Sequence, residues 1–128
     1  MNFKKLTPLI LAIVSNSAIS SSQAPSITGS YIGEVQSAEE MSKASTFFTQ
    51  NENGIISGSY VFIEKGDQIK GELTGCEIIE STNLKCIWKD KYGYGDLEVI
   101  FNGSFTKFYG AWNTFDSSKK YPWHGTKQ

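Results

Sequence analysis

Glycine recurs inside segments that otherwise read as strands, and in a weak repeat an aromatic residue or a leucine follows it two positions later. The pairs are Gly29/Tyr31, Gly58/Tyr60, Gly71/Leu73, Gly103/Phe105 and Gly110/Trp112. A spacing of two puts both members on the same face of a strand. Glycine weakens a strand, so its repeated use there signals a sharp bend, a bulge or the close approach of something bulky. A small closed barrel has that need, because inward glycine permits tight curvature while an inward ring fills the space beside it.

The rest of the chain supplies strands in the number such a barrel uses. Eight short segments alternate with turn signals: 27–36, 44–50, 55–63, 68–78, 84–89, 95–101, 104–112 and 123–126. The clearest is 68–78, where Ile69, Gly71, Leu73 and Gly75 alternate with Lys70, Glu72 and Thr74. Asn102-Gly103 is the strongest two-residue hairpin signal, and 113–120 reads as a long polar loop. Consecutive strands joined by short turns are antiparallel neighbours, since a parallel link needs a long crossover. The expected fold is therefore all-β, an eight-stranded antiparallel up-and-down barrel, with a β-sandwich as the second choice. Eight strands enclose an interior that side chains can fill or that can hold one small ligand. Only 37–43 departs from the pattern. Ser37 and Glu40 match a capping box and predict a short helix or a wide loop.

Residues 1–24 have a different character. Lys4 and Lys5 precede an apolar run from Leu6 to Val14, and a small polar stretch follows. This is the three-part pattern of a secretory signal peptide, with cleavage between residues 20 and 24. The run is too short to span a bilayer about 30 Å thick as a helix. The expected product is a single barrel domain over 25–128, exported to a periplasm or secreted, without a membrane span. From Ser26 onward, 10 Lys against 13 acidic residues leave a net charge of −3, and the chain has no Arg. That removes the basic footprint of a nucleic-acid binder.

In an oxidising compartment Cys76 and Cys86 read as a disulfide. The pairing raises a question of register. If the two cysteines face each other across a hairpin, Trp88 shares a face with Thr74 and Cys76, opposite Leu73. Either Trp88 points outward, or a bulge between residues 77 and 87 shifts the register.

Gly58-Ser-Tyr60, Leu84-Lys-Cys86-Ile-Trp88, the Gly95–Phe101 segment, Phe108-Tyr-Gly110-Ala-Trp112 and Trp123-His-Gly125-Thr126 follow one another in order. The series resembles the G-x-Y/G-x-W pattern of small exported bacterial β-barrel proteins. More remotely it is similar to the avidin and lipocalin barrels, and that resemblance implies a small molecule held at an open mouth. The polar set that surrounds an avidin-type site has no residue-by-residue match here.

Candidate chemistry is sparse. His124 has no nucleophile or orienting acid near it in sequence. Asp90 and Asp96 flank Lys91-Tyr92-Gly93-Tyr94-Gly95 and read as turn residues. No metal site, cofactor motif or catalytic set is expected, so the reading is a non-enzymatic protein. Tyr31, Tyr60, Trp88, Trp112 and Trp123 line one cavity if they point inward, or else form ordinary core. Tyr92 and Tyr94 in the adjacent loop suit contact with a protein or glycan. Two functions follow. One is a binding protein for a small apolar or amphipathic ligand. The other is an extracytoplasmic protein-binding module, of inhibitor or immunity type, with a filled barrel.

Overall fold

A computed structural model describes residues 26–128 of the chain. The expected signal segment, 1–24, lies outside the described residues. Eight strands follow in sequence: β1 (Gly29–Ser37), β2 (Glu40–Gln50), β3 (Ile56–Glu64), β4 (Asp67–Glu80), β5 (Asn83–Asp90), β6 (Gly93–Phe101), β7 (Lys107–Thr114) and β8 (Tyr121–Lys127). Each pairs antiparallel with the next, and β8 returns to pair with β1, so the sheet closes into the expected up-and-down barrel. Closure leaves no edge strand, which a sandwich of this size would have to protect.

No helix occurs at 37–43 among the described residues. Ala38 and Glu39 make a tight turn, with Ala38 at φ 58°, and Glu40 already belongs to β2. The capping-box signal fails because nothing behind it has helical periodicity. Ala44, Thr46 and Phe48 are buried at alternate positions, which only a strand satisfies. The hydroxyl of Ser37 donates to Glu64 on β3 at 3.3 Å rather than closing a helical turn.

The Asn102-Gly103 hairpin is also longer than expected, since β7 begins at Lys107 rather than Ser104. Asn102 organises the connection. Its Oδ1 accepts from the backbone N–H of Thr106 at 2.8 Å and of Lys107 at 3.0 Å. Its carbonyl accepts from Phe105 N–H at 3.0 Å. Gly103 and Phe105 thus sit in a loop, outside the strand repeat. Phe105 takes the left-handed conformation, φ 55°, which turns its ring onto Phe101.

A bulge answers the question of register. Thr74 pairs with Ile87 and Glu77 with Lys85, so Gly75 and Cys76 together oppose Cys86. Gly75 occupies φ +58°, where a side chain is strained, as the first position of a glycine bulge requires. The extra residue that sets the Trp88 register lies between Thr74 and Glu77, just before the predicted window, and a second register shift, between Ile78 and Glu80, falls inside it. The first of these lets Leu73, Cys86 and Trp88 all face inward, each at most 5% exposed. The Cys76–Cys86 disulfide ties the two sides of the bulge together.

The interior is divided along its axis. At one end Tyr31, Phe48, Phe101 and Phe108 pack together, with ring centroids 5.4 to 5.8 Å apart. Phe105 closes over this cluster. Such tilted and edge-on pairs set the positive ring edge against the negative face. The described chain also begins and ends here: Lys127 Nζ donates to the Ser26 carbonyl at 2.6 Å, and Gln128 N–H to the Ser30 carbonyl at 2.9 Å. The 38–39, 65–66, 91–92 and 115–120 turns ring the opposite end.

Candidate functional site in the barrel mouth

Successive inward side chains on a strand are about 6 to 7 Å apart along its length, so a position two residues on lies one layer higher in the barrel. Tyr60, Phe62 and Glu64 climb β3 in this way, and Trp88 and Asp90 climb β5. Above the plane of Tyr60 the inward positions no longer meet across the axis. They leave a cavity of about 290 Å³, open at the end away from the phenylalanine cluster.

Tyr60, Trp88, Trp112 and Trp123 make most of the wall, with Val35 and Phe62 between them. The rings form two corners. Trp88 and Trp112 meet at 79° with centroids 5.2 Å apart, and Tyr60 and Trp123 meet at 74° and 4.8 Å. All three indole N–H groups are committed to the protein. Trp88 Nε1 donates to the Asn113 carbonyl, Trp112 Nε1 to the Gln36 carbonyl and Trp123 Nε1 to Thr46 Oγ1, each at 3.0 Å. These bonds hold the rings in place and leave carbon surface facing the cavity.

The Tyr60 ring lies over Gly71, its direct cross-strand partner on β4. A Cβ at residue 71 would overlap that ring. This close approach is the physical reason for one glycine of the repeat.

Two carboxylates stand at the rim, Asp90 and Glu64. Tyr60 Oη donates to Asp90 Oδ2 at 2.7 Å. Burial, together with this bond and the negative charge of Asp90, pushes the Tyr60 hydroxyl well above its ordinary pKa. Tyr92 bridges both acids: its backbone N–H donates to Asp90 Oδ1 at 2.8 Å and its hydroxyl to Glu64. The bond to Glu64 is the main cause of the raised pKa of Tyr92. Ser37, Glu64, Tyr92, Asp90 and Tyr60 therefore form one hydrogen-bonded chain across three strands and a turn.

Of the five aromatic residues expected to share a cavity, Tyr60, Trp88, Trp112 and Trp123 do so, and Tyr31 does not. Tyr31 points inward but lies at the filled end, where its hydroxyl donates to the carbonyls of Ile27 at 2.7 Å and Phe105 at 3.2 Å. It precedes Val35 by four residues, about 13 Å along the strand. Tyr92 stands at the rim, whereas Tyr94 is on the outer wall, 56% exposed and edge-on to Phe115. His124 is likewise outside the barrel, 3.7 Å from Glu34.

Sequence reasoning missed Asp90 and Glu64 as members of the site. Asp90 does make the turn it was expected to make, through Oδ1. Its second oxygen is the one turned to the mouth. Alternation carried the signal, because Asp90 follows Trp88 by two and Glu64 follows Phe62 by two. No protein-family model, curated protein or solved structure matches this chain.

Proposed function

We propose that the protein is an exported, non-enzymatic binding protein that holds a small apolar or amphipathic molecule in the mouth of its barrel. The observation that carries this reading is the aromatic-walled cavity of about 290 Å³ at one end of a barrel whose other end is filled. Ligand sites are concave and mostly apolar, with a few placed polar groups, and this one is near the small end of their usual range of about 300 to 1,000 Å³. The indole bonds support it further, since walls held in position lose little side-chain freedom when a ligand arrives. Export is supported by the disulfide, which suits an oxidising compartment.

The test is energy transfer from tryptophan to N-phenyl-1-naphthylamine, a neutral apolar dye. The expected result is saturable one-to-one binding that Trp112→Ala weakens. Non-saturable fluorescence, or binding indifferent to Trp112→Ala, would overturn the reading. A second reading, docking of a protein partner, rests on the exposed Tyr94–Phe115 pair beside the mouth.

A further inference from the structure

We infer that the mouth selects an organic cation, an alkylated or aryl-substituted ammonium, over neutral and anionic molecules of the same shape. This rests on the proposed binding role and adds a charge to it.

Every hydroxyl and indole on the lining already donates to the protein. Tyr60 donates to Asp90, Tyr92 and Ser37 donate to Glu64, and the three tryptophans donate to Asn113, Gln36 and Thr46. An anion or a carbonyl entering the cavity would find none of these donors free, and the remaining lining amide, Gln36, is out of phase with the inward positions Tyr31 and Val35 of its strand. What the mouth offers is acceptor capacity, because each carboxylate has lone-pair sites beyond those its partners fill.

The mouth is also negatively charged. The lining includes two carboxylates and no Lys, Arg or His. The ion pairs among the described residues engage Asp96, Glu98 and Glu34, all away from the mouth, and leave Asp90 and Glu64 without a cation. The lysines of the neighbouring turns, Lys65, Lys91, Lys119 and Lys120, are exposed; Lys91 Nζ sits over the Tyr92 ring, 5.3 Å from its centroid, Lys119 Nζ over the Tyr121 ring at 5.5 Å, and Lys120 pairs with Glu98 at 3.5 Å.

The shape of the wall suits a cation as well. A cation over an aromatic face is attracted by the ring quadrupole, most strongly with Trp. The corners formed by Trp88 with Trp112 and by Tyr60 with Trp123 present ring faces from more than one direction, as an aromatic cage does. An alkylated ammonium fits because its charge is spread over carbon that packs on rings, and it requires no dense shell of acceptors. The head would rest between these corners and the rim acids, with its apolar part toward Phe62 and Val35.

The experiment compares phenyltrimethylammonium, its neutral carbon isostere tert-butylbenzene, and benzenesulfonate, by tryptophan fluorescence and calorimetry on the native protein. The expected result is that the ammonium binds roughly tenfold or more tighter than tert-butylbenzene, and that benzenesulfonate does not compete. An Asp90→Asn/Glu64→Gln double variant removes both charges at nearly unchanged shape; each amide keeps one accepting oxygen, the Tyr60 and Ser37 hydroxyls can rotate to accept from the new NH2 groups, and the ammonium preference should narrow. Circular dichroism checks its fold, and raised ionic strength should narrow the same preference in the unaltered protein. Equal affinity for the ammonium and its neutral isostere, or tighter binding of the sulfonate, would overturn the cation inference and leave the apolar site standing. Failure of all three compounds, together with failure of the neutral dye, would overturn both.

Discussion

Among the described residues Thr46 is the one buried side chain that is neither aliphatic, aromatic nor cysteine, 1% exposed, and it accepts the indole N–H of Trp123, itself 3% exposed. Thr46→Val keeps the branched shape and removes the acceptor. The Trp123 N–H is then left in a dry site without a partner, at a cost of about 1 to 3 kcal/mol. For a domain of this size each kcal/mol corresponds to about 4 to 8 °C in melting temperature. The decisive comparison is a double-mutant cycle with Trp123→Phe, which removes the N–H itself. The void left by the smaller ring appears in both arms and cancels. In that background Thr46→Val should be neutral or stabilising, because the hydroxyl no longer has an indole to serve. The coupling energy should therefore be about 1 to 3 kcal/mol. Urea denaturation followed by far-ultraviolet circular dichroism measures it without relying on the emission of the altered tryptophan. A Thr46→Val variant within about 0.5 kcal/mol of the parent, or one costing the same with Phe at 123, would refute the argument that this bond fixes the cavity wall.

Three further expectations concern other parts of the barrel. Replacing both Cys76 and Cys86 by Ala should cost about 2 to 3 kcal/mol on the chain-entropy account of a short loop, read as a lower urea midpoint; an unchanged midpoint would show that the bulge is held by the sheet alone. Gly71→Ala should destabilise by about 1 to 3 kcal/mol through overpacking and weaken dye binding, because the displaced Tyr60 ring moves into the cavity; unchanged binding would refute that coupling. Burial pushes the Tyr31 hydroxyl up to about 12 from the ordinary value of 10.0. The folded state thus keeps a proton that the unfolded chain releases above pH 10, so this contribution to stability is complete below pH 10 and declines as pH rises through about 12. Tyr31→Phe should flatten that decline in denaturation midpoints measured across the range, and an equally steep decline in the variant would count against it.

The architecture was legible because alternation and turn chemistry agreed along most of the chain. Ile69, Gly71 and Leu73, for example, fixed both the strand and its inward face. The misreadings arose where a local signal was weighed without its surroundings. Ser37 and Glu40 have capping-box spacing, but the alternating burial of Ala44, Thr46 and Phe48 is a tertiary fact that outweighs it. Asn102-Gly103 promised a two-residue hairpin, and the loop instead spends its positive φ on Phe105, whose ring the core accepts. The site was legible in its walls, since large aromatics at inward positions must face one another somewhere. It was not legible in depth. Nothing in the spacing of Tyr31 and Val35 says which layer is filled and which is open, because that depends on what seven other strands place at the same height. The rim acids were hidden by a second role: Asp90 is sufficiently explained as a turn residue until Tyr60 is seen to reach it from β3.

The two ends of the described chain leave the barrel side by side at its filled end, fastened by the Lys127–Ser26 and Gln128–Ser30 bonds. A molecule moored through either terminus, to a surface, a bead or a second domain, would stand with its opening turned toward the surrounding fluid. A passenger would have a single doorway, so arrival and departure would use the same route and share the same barrier. On the binding role proposed above, a plugged barrel moored in this way would act as a cup held by its base, retaining a ligand rather than passing it through.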